Sequence, residues 1–290
     1  MASLRDIRNR IGSVKNTRQI TRAMKLVAGA KLARATGAAT AARPYADTLS
    51  RVLQSVVRAA GGEISHPLLT TPENENDVLV VLLSSDRGLC GNFNSMINRA
   101  TQERVDALVA QGKTVRILCY GKKGKQYFGS RKYEVLDGAM DIDPRQYQAL
   151  ADALALRLVA ELSDNRFSAC YLAWNEYKTV MTQEPRFAQI LPMQLDAGGA
   201  AEAEPSAPVL YEPSGPVLLG QLLPLSLRTR IFQSFLETQA GEQAKRMTAM
   251  DAATRNASDL IGRLTLEYNR ARQAAITKEL IEIISGAEAL

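Results

Sequence analysis

Little in this sequence is equipped for chemistry. Its one histidine, His66, stands beside Pro67 with no acidic cluster and no GxSxG turn near it. A Ser-His or zinc centre therefore has no constellation to build on. The three cysteines, Cys90, Cys119 and Cys170, come in odd number without CxxC spacing, each in or beside an apolar segment. They read as reduced, mostly buried thiols of a cytoplasmic protein, not as a disulfide framework. The longest strongly apolar run, 78–83, falls far short of the ~20 residues a membrane helix needs. The first ten residues carry four charges and no apolar core segment, so neither a membrane span nor an export signal is expected. Phosphate loops of the GxGxxG and GxxxxGK[ST] kinds are missing too. The turn SSDRGLCGN (84–92) occupies the place of such a loop, but it reads as a strand-to-helix turn that uses Gly88 and Gly91 for backbone freedom. Asp86, Asp137, Asp141 and Asp143 stand where turns and caps favour a carboxylate. No catalytic residue, metal ligand or cofactor site emerges.

What is present is organised by charge and period. With 46% apolar and 23% charged residues the chain has the composition of a folded protein, which excludes a disordered one. Its net charge of +6 is uneven. Residues 1–58 hold twelve Lys and Arg against two acids, a net of +10, whereas 59–225 hold fifteen against twenty, a net of −5. The N-terminal segment is thus a basic rod suited to an acidic partner, and charge alone does not choose among nucleic acid, an anionic surface or acidic protein loops.

Residues 3–58 are rich in Ala, Arg, Lys, Leu and Met and predict one long helix, with Pro44 as its point of bending. Leu4, Ile7, Ile11 and Val14 recur in steps of three and four, a coiled-coil seam, and Tyr45, Leu49, Val52 and Val56 repeat the alternation. Between them lie Ala28, Ala30, Ala33, Ala35, Ala38, Ala39 and Ala42, small enough for close helix approach. From about 226 to 285 a second helix carries the seam Met247, Met250, Thr254, Ala257, Ile261, Leu264, Tyr268, Ala271 and Ala275. A rod of ~60 residues is about 90 Å long, so it is expected to project beyond a globular body and to need a partner outside the chain.

Residues 77–195 alternate strand and helix. Strands are predicted at 77–83, 114–120, 133–136, 168–177 and 186–192, with helices to 110, at 121–128, and from Asp143-Pro144 to 162. This is an α/β domain with a mostly parallel central sheet covered by helices, joined to a long antiparallel coiled coil of the terminal helices. The organisation read from sequence is a shaft helix at 1–58, a linker at 59–76, the α/β domain at 77–195, a second linker at 196–216 rich in Ala, Gly, Glu and Pro, and a shaft helix at 217–290.

Three segments then carry a resemblance. NTRQITRAMKLVA (16–28), SDRGLCG (85–91) and the block 242–276 with its extension YNRARQAAIT (268–277) are similar to signature segments of the gamma subunit of F-type ATP synthases, in order and over essentially the whole chain. The resemblance implies a catalytically silent rotor shaft with no cofactor of its own, for ATP synthesis coupled to proton transport. It implies three alpha and three beta subunits around the shaft, an epsilon subunit and a c-subunit ring at its α/β foot, and a peripheral place on the cytoplasmic face of the inner membrane. By the same resemblance Met24 and Lys25 meet an acidic segment of the beta subunit. Arg246, Gln273 and Thr277 make coupling contacts to beta, the last two at a catch loop. Tyr211 and Glu212 lie near the c ring, and 276–284 slide in an apolar sleeve. The redox insertion of chloroplast members is missing, which points to a bacterial enzyme. Two other readings are a basic coiled-coil adaptor for nucleic acid, which lacks aromatic interleaving and a recognition motif, and a small-molecule enzyme with helical arms, which rests on fold analogy.

Overall fold

The computed structural model describes residues 3–59, 66–70, 72, 76–194 and 215–288, without the side chains of 58, 59, 216, 282 and 286–288. The chain divides into two compact units, one of Met1–Ala30 with Arg246–Leu290 and one of Lys31–Lys245. Two helices, α1 (Leu4–Ala59) and α5 (Gly215–Glu288), contribute to both.

The alternation of three and four governs α1 from end to end. Its least exposed positions run Leu4, Ile7, Ile11, Val14, Arg18, Thr21, Lys25, Ala28, Leu32, Ala35, Ala39, Ala42, Ala46, Leu49, Leu53 and Val56. This corrects one sequence expectation. Tyr45 and Val52 are exposed, and the seam passes through Ala46 and Leu53 instead. Of the alanines between, 28, 35, 39 and 42 face inward, while 30, 33 and 38 face out. Pro44 stands inside the helix on its exposed side, where water can solvate the carbonyl it leaves unbonded.

The larger unit is built on a five-stranded sheet in the order β3-β2-β1-β4-β5, from β1 (Asp77–Leu83), β2 (Thr114–Tyr120), β3 (Glu134–Asp137), β4 (Ala169–Tyr177) and β5 (Gln183–Leu191). All pairings are parallel except that of β4 with β5, an antiparallel edge. Connections run through α2 (Phe93–Ala110), α3 (Lys122–Gly129) and α4 (Tyr147–Ser163), the last introduced by a short 3-10 turn that Asp143 caps by accepting from Arg145 N at 2.9 Å. These elements follow the predicted segments closely. The difference at β5, which starts three residues before its predicted beginning, comes from antiparallel pairing of Gln183 with Tyr177.

Central β1 is buried on both faces, which explains its unbroken run of Val and Leu. Val78, Val80 and Leu82 pack with Ile97, Val105 and Phe128 on the side of α2 and α3. Leu79, Val81 and Leu83 pack on the other side with α4, with Ala39, Leu53 and Val56 of α1, and with the first turns of α5. That packing accounts for the second correction. The C-terminal helix starts at Gly215, eleven residues before the periodic segment expected from 226 and two before the shaft segment set at 217, and runs through Pro224. A proline inside a helix costs about 3 kcal/mol. Leu219, Leu223, Leu227 and Ile231 form an i, i+4 stripe between 0% and 1% exposed, and each contributes roughly 1.5–3 kcal/mol by burial. The stripe outweighs the proline.

Candidate functional site

In the smaller unit the two helices run antiparallel. Three contacts fix the register: an added Cβ on Gly29 would lie 3.5 Å from Met247 Sδ, Lys25 Nζ reaches Asp251 Oδ1 at 2.5 Å, and the hydroxyls of Thr21 and Thr254 meet at 2.8 Å. Descending numbers on α1 thus face ascending numbers on α5. The predicted C-terminal seam holds at every position, for Met247, Thr254, Ile261, Tyr268, Ala271 and Ala275 are half-buried and Met250, Ala257 and Leu264 buried.

Polar pairs inside this seam set register more than they add stability. Asp251 is held by Lys25 and, four residues on, by Arg255 at 2.7 Å, and its hydrogen bond from Lys25 keeps its carboxyl below the usual range. With 43% of the Lys25 side chain and 29% of Asp251 accessible, the pair is screened by water. Thr254 is also 2.7 Å from Met250 O, and Thr21 is 3.1 Å from Arg18 O, so one hydroxyl donates across and the other back along its own helix.

Carried along at the same register, Leu4 comes opposite Ala271, and α5 continues with no helix beside it among the described residues. Every described side chain from Ile276 on is exposed, including Ile276, Leu280, Ile281, Ile283 and Ile284 at 50–71%. Higher up, Ile20, Leu26 and Val27 face outward from α1 at 57–67%. Apolar surface of this extent in a rod marks a binding surface.

The residues singled out from sequence fall into separate places. Met24, Lys25 and Arg246 are half-buried around the Gly29–Met247 contact. Gln273 and Thr277 are exposed, the Thr277 hydroxyl donating to Gln273 O at 2.9 Å. They lie 27 residues and more beyond Arg246 on α5, roughly 40 Å along the helix. Tyr211 and Glu212 lie outside the described residues. Asp251, the partner of Lys25, escaped the sequence reading; its spacing of four from Arg255, at the margin of the seam, is the signal that finds it.

The second place to look is the crevice at the C-terminal ends of β1 and β4, where the strand order reverses and open α/β sheets hold ligands. Here the chain fills it with itself. In the turn after β1, Ser85 N–H and Oγ pair with Asn94 at 3.0 and 3.1 Å, and the Asp86 carboxylate accepts from Lys122 N and Ile142 N, each at 3.0 Å. Both carboxylate oxygens are therefore spent joining three turns. Helix α5 covers the rest: Glu237 Oε2 accepts from Trp174 Nε1 at 2.9 Å, and Gly241 lies so close that a Cβ would meet the Phe93 ring at 3.1 Å. Burial raises the Glu237 carboxyl above its ordinary range, with Trp174 and Gln233 offsetting part of the effect. Burial likewise pushes the Cys119 thiol up to about 12, Cys170 is raised too, and all three cysteines are buried. Buried, protonated thiols of this kind are poor nucleophiles. His66 holds Leu68 N through Nδ1 at 3.2 Å. A groove of about 350 Å³ between α1, α4 and α5, lined in part by Tyr45, Gln148, Arg228 and Phe232, has Arg228 paired with Asp152 at 3.2 Å.

An antiparallel helical pair with bare apolar faces in one unit, and in the other an α/β fold whose ligand crevice is closed by its own helix, define a protein that binds partners through its helices. The model of the ATP synthase family matches residues 3–290. ATP synthase gamma chains of Sinorhizobium medicae, at 47% identity over 296 residues, and of Paracoccus denitrificans, at 46% over 293, align over the full length of both chains in each case. The chain belongs to this family, as a gamma chain. Among solved structures, a rotational state of the Euglena gracilis mitochondrial ATP synthase with its c-ring matches at TM-score 0.64 and 18% identity, covering 99% of this chain and 94% of that one. The central stalk with c-ring of the Tetrahymena thermophila mitochondrial enzyme matches at 0.54 and 23%, covering 81% and 99%. Both share the fold. No helix among the described residues is long and apolar enough to cross a membrane.

Proposed function

We propose that this chain is the central shaft of a proton-translocating ATP synthase, turned by a c-subunit ring and enclosed at its tip by three alpha and three beta subunits. The observation that carries the reading is the lone apolar end of α5 beyond Ala275, in a chain whose relatives are gamma chains over their whole length. It is a non-catalytic subunit of the synthase, and the nucleotide chemistry belongs to beta. The shaft acts by asymmetry. Three equivalent catalytic subunits meet different faces of one antiparallel pair, so each is held in a different conformation, and rotation permutes them. Reversing a site from 1:99 to 99:1 takes about 5.5 kcal/mol of differential contact.

Within this reading Met24 and Lys25 meet an acidic segment of beta, and Arg246, Gln273 and Thr277 add polar contacts there, Gln273 and Thr277 at a catch loop. Outward-facing Arg5, Arg8, Arg10, Lys15 and Arg22 give α1 its attraction for acidic loops. Lys25 is already engaged by Asp251, so an acidic loop competes with that partner for its ammonium. The α/β domain at 77–195 serves as the foot toward epsilon and the ring, with Tyr211 and Glu212 near the ring, on the cytoplasmic face of the inner membrane.

Reconstitution tests the assignment. Alpha and beta subunits assembled with this chain are expected to form a defined complex that hydrolyses ATP, with Gln273→Leu and a deletion from Ile276 reducing rate or coupling. Failure of the unaltered chain to co-assemble would sink the proposal.

A further inference from the structure

The closed crevice keeps three buried oxygens without a protein partner among the described residues: Asn175 Oδ1, Gln183 Oε1 and Thr238 Oγ1, on residues 0%, 5% and 6% exposed. The orientation of both amides is pinned from the other side. Asn175 Nδ2 donates to Phe93 O at 3.2 Å, and Gln183 Nε2 donates to Thr179 O and Val180 O at 2.7 and 3.0 Å. Flipping either amide would turn a carbonyl oxygen toward those carbonyls, so the unpartnered atoms are true acceptors.

The three residues share one corner. Gln183 pairs with Tyr177, and Asn175, two residues before Tyr177, projects from the same face of the sheet. Gly241 brings α5 against both neighbours, its Cβ position lying 3.1 Å from the Phe93 ring and 3.3 Å from Gln183 Cγ. Thr238 precedes Gly241 by three residues and so lies on the same helix face. We propose that Asn175, Gln183 and Thr238 form a binding site for one ordered water, which hydrogen-bonds α5 to the ends of β4 and β5.

Stoichiometry favours water over an ion. A water donates one hydrogen to each amide oxygen and accepts the Thr238 hydroxyl, making the three bonds usual for a buried water. A divalent cation demands carboxylates, and this oxygen set has none. The nearby carboxylate on α5, Glu237, is committed to Trp174, which projects from the opposite face of β4 to Asn175.

A density map of the assembled complex that shows ordered waters is the direct test. The expected result is a peak about 2.7–3.2 Å from all three oxygens. In Thr238→Val the peak is lost and the full chain melts about 2–4 °C lower, while Thr238→Ser retains both peak and melting temperature. Melting is expected to be equal in potassium, sodium and choline chloride at matched ionic strength. A map without the peak overturns the proposal, as does a Thr238→Val chain that keeps it at full strength. A melting temperature raised by potassium or sodium over choline replaces the water by a monovalent cation and overturns it too.

Discussion

Two stretches of the same helix carry similar residues to opposite ends. At the start of α5, Leu219, Leu223, Leu227 and Ile231 are at most 1% exposed, under a sheet and against α1 and α4. At its end, Ile276, Leu280, Ile281, Ile283 and Ile284 are at least 50% exposed. Composition does not separate these stretches; the company each keeps does. The larger unit builds its core within the chain, on both faces of β1, and even closes its ligand crevice with α5, although Leu89, Leu156 and Met181 stand exposed on it. The smaller unit buries one seam per helix and leaves the remaining faces bare. Self-sufficiency in one unit and dependence in the other are the division of labour expected of a body that anchors and a shaft that is gripped.

The contrast predicts a steep gradient of mutational cost. Largest is Gly121→Ala. Gly121 has φ +95°, and a Cβ there would lie 2.2 Å from the Ser84 carbonyl oxygen, which no side-chain adjustment relieves. Loss of more than about 4 kcal/mol, seen as failure to fold or a collapse of the denaturant midpoint, is expected. Next comes Ile231→Ala, at about 2–5 kcal/mol for a fully buried site. Its control is Leu266→Ala at 62% exposure in the smaller unit, where a change beyond about 0.5 kcal/mol would blur the contrast.

Much of this was legible from residues, and the exceptions have physical causes. Strands β1 and β2 are readable to the residue because burial on both faces gives β1 an unbroken Val and Leu run and gives β2 the apolar end Ile117 to Tyr120, each between turn signals. The seam of α5 is readable because Met, Ile, Leu and Tyr mark it. In α1 the reading slipped from Ala46 and Leu53 to Tyr45 and Val52, because alanine carries almost no apolar signal and tyrosine outweighs it. Alternation carried unbroken from Leu4 lands on Ala46 and would have settled the frame. The periodic signal of α5 fades ahead of 226, where Pro224 stands with a local cost that tertiary burial of Leu219, Leu223 and Leu227 overrules. Closure of the crevice by Glu237 and Gly241 joins residues more than sixty apart from Trp174 and almost 150 from Phe93, and no local pattern announces such a meeting.

Smaller effects sharpen the comparison through pH. Glu237 is a carboxyl raised by burial, facing Trp174, Gln233, Glu176 and Arg43. Its folded form holds the proton more tightly than the unfolded chain does, so its contribution to stability is full below the free carboxyl's pKa and is lost as pH rises through the raised value. Glu237→Gln keeps an acceptor for Trp174 and removes the buried charge. It is expected to stabilise the chain near pH 8 by on the order of 1 kcal/mol, the gain vanishing toward about pH 4. No gain at alkaline pH would contradict the burial argument. Asp251 has the opposite sign and the opposite setting. Its carboxyl is lowered by Lys25, so its contribution is present above the free value and fades as pH falls through the lowered one. Lying in screened surroundings, Asp251→Asn should shift melting by less than about 2 °C at any pH, with the shift shrinking further in high salt.

The smallest effect on stability accompanies the largest on function. Deleting residues from Ile276 on removes exposed side chains with no described neighbour on α1, so the melting temperature of the chain should not move beyond measurement error. The same deletion withdraws five large aliphatic side chains from any sleeve that receives them, each contributing roughly 1.5–3 kcal/mol when taken out of water. In a reconstituted synthase, ATP formation driven by a proton gradient is expected to fall while assembly through the foot persists. A deletion that melts the chain early would mean that the tip is held from within, and the division between a self-contained body and a gripped shaft would fail at the point where it is most exposed to test.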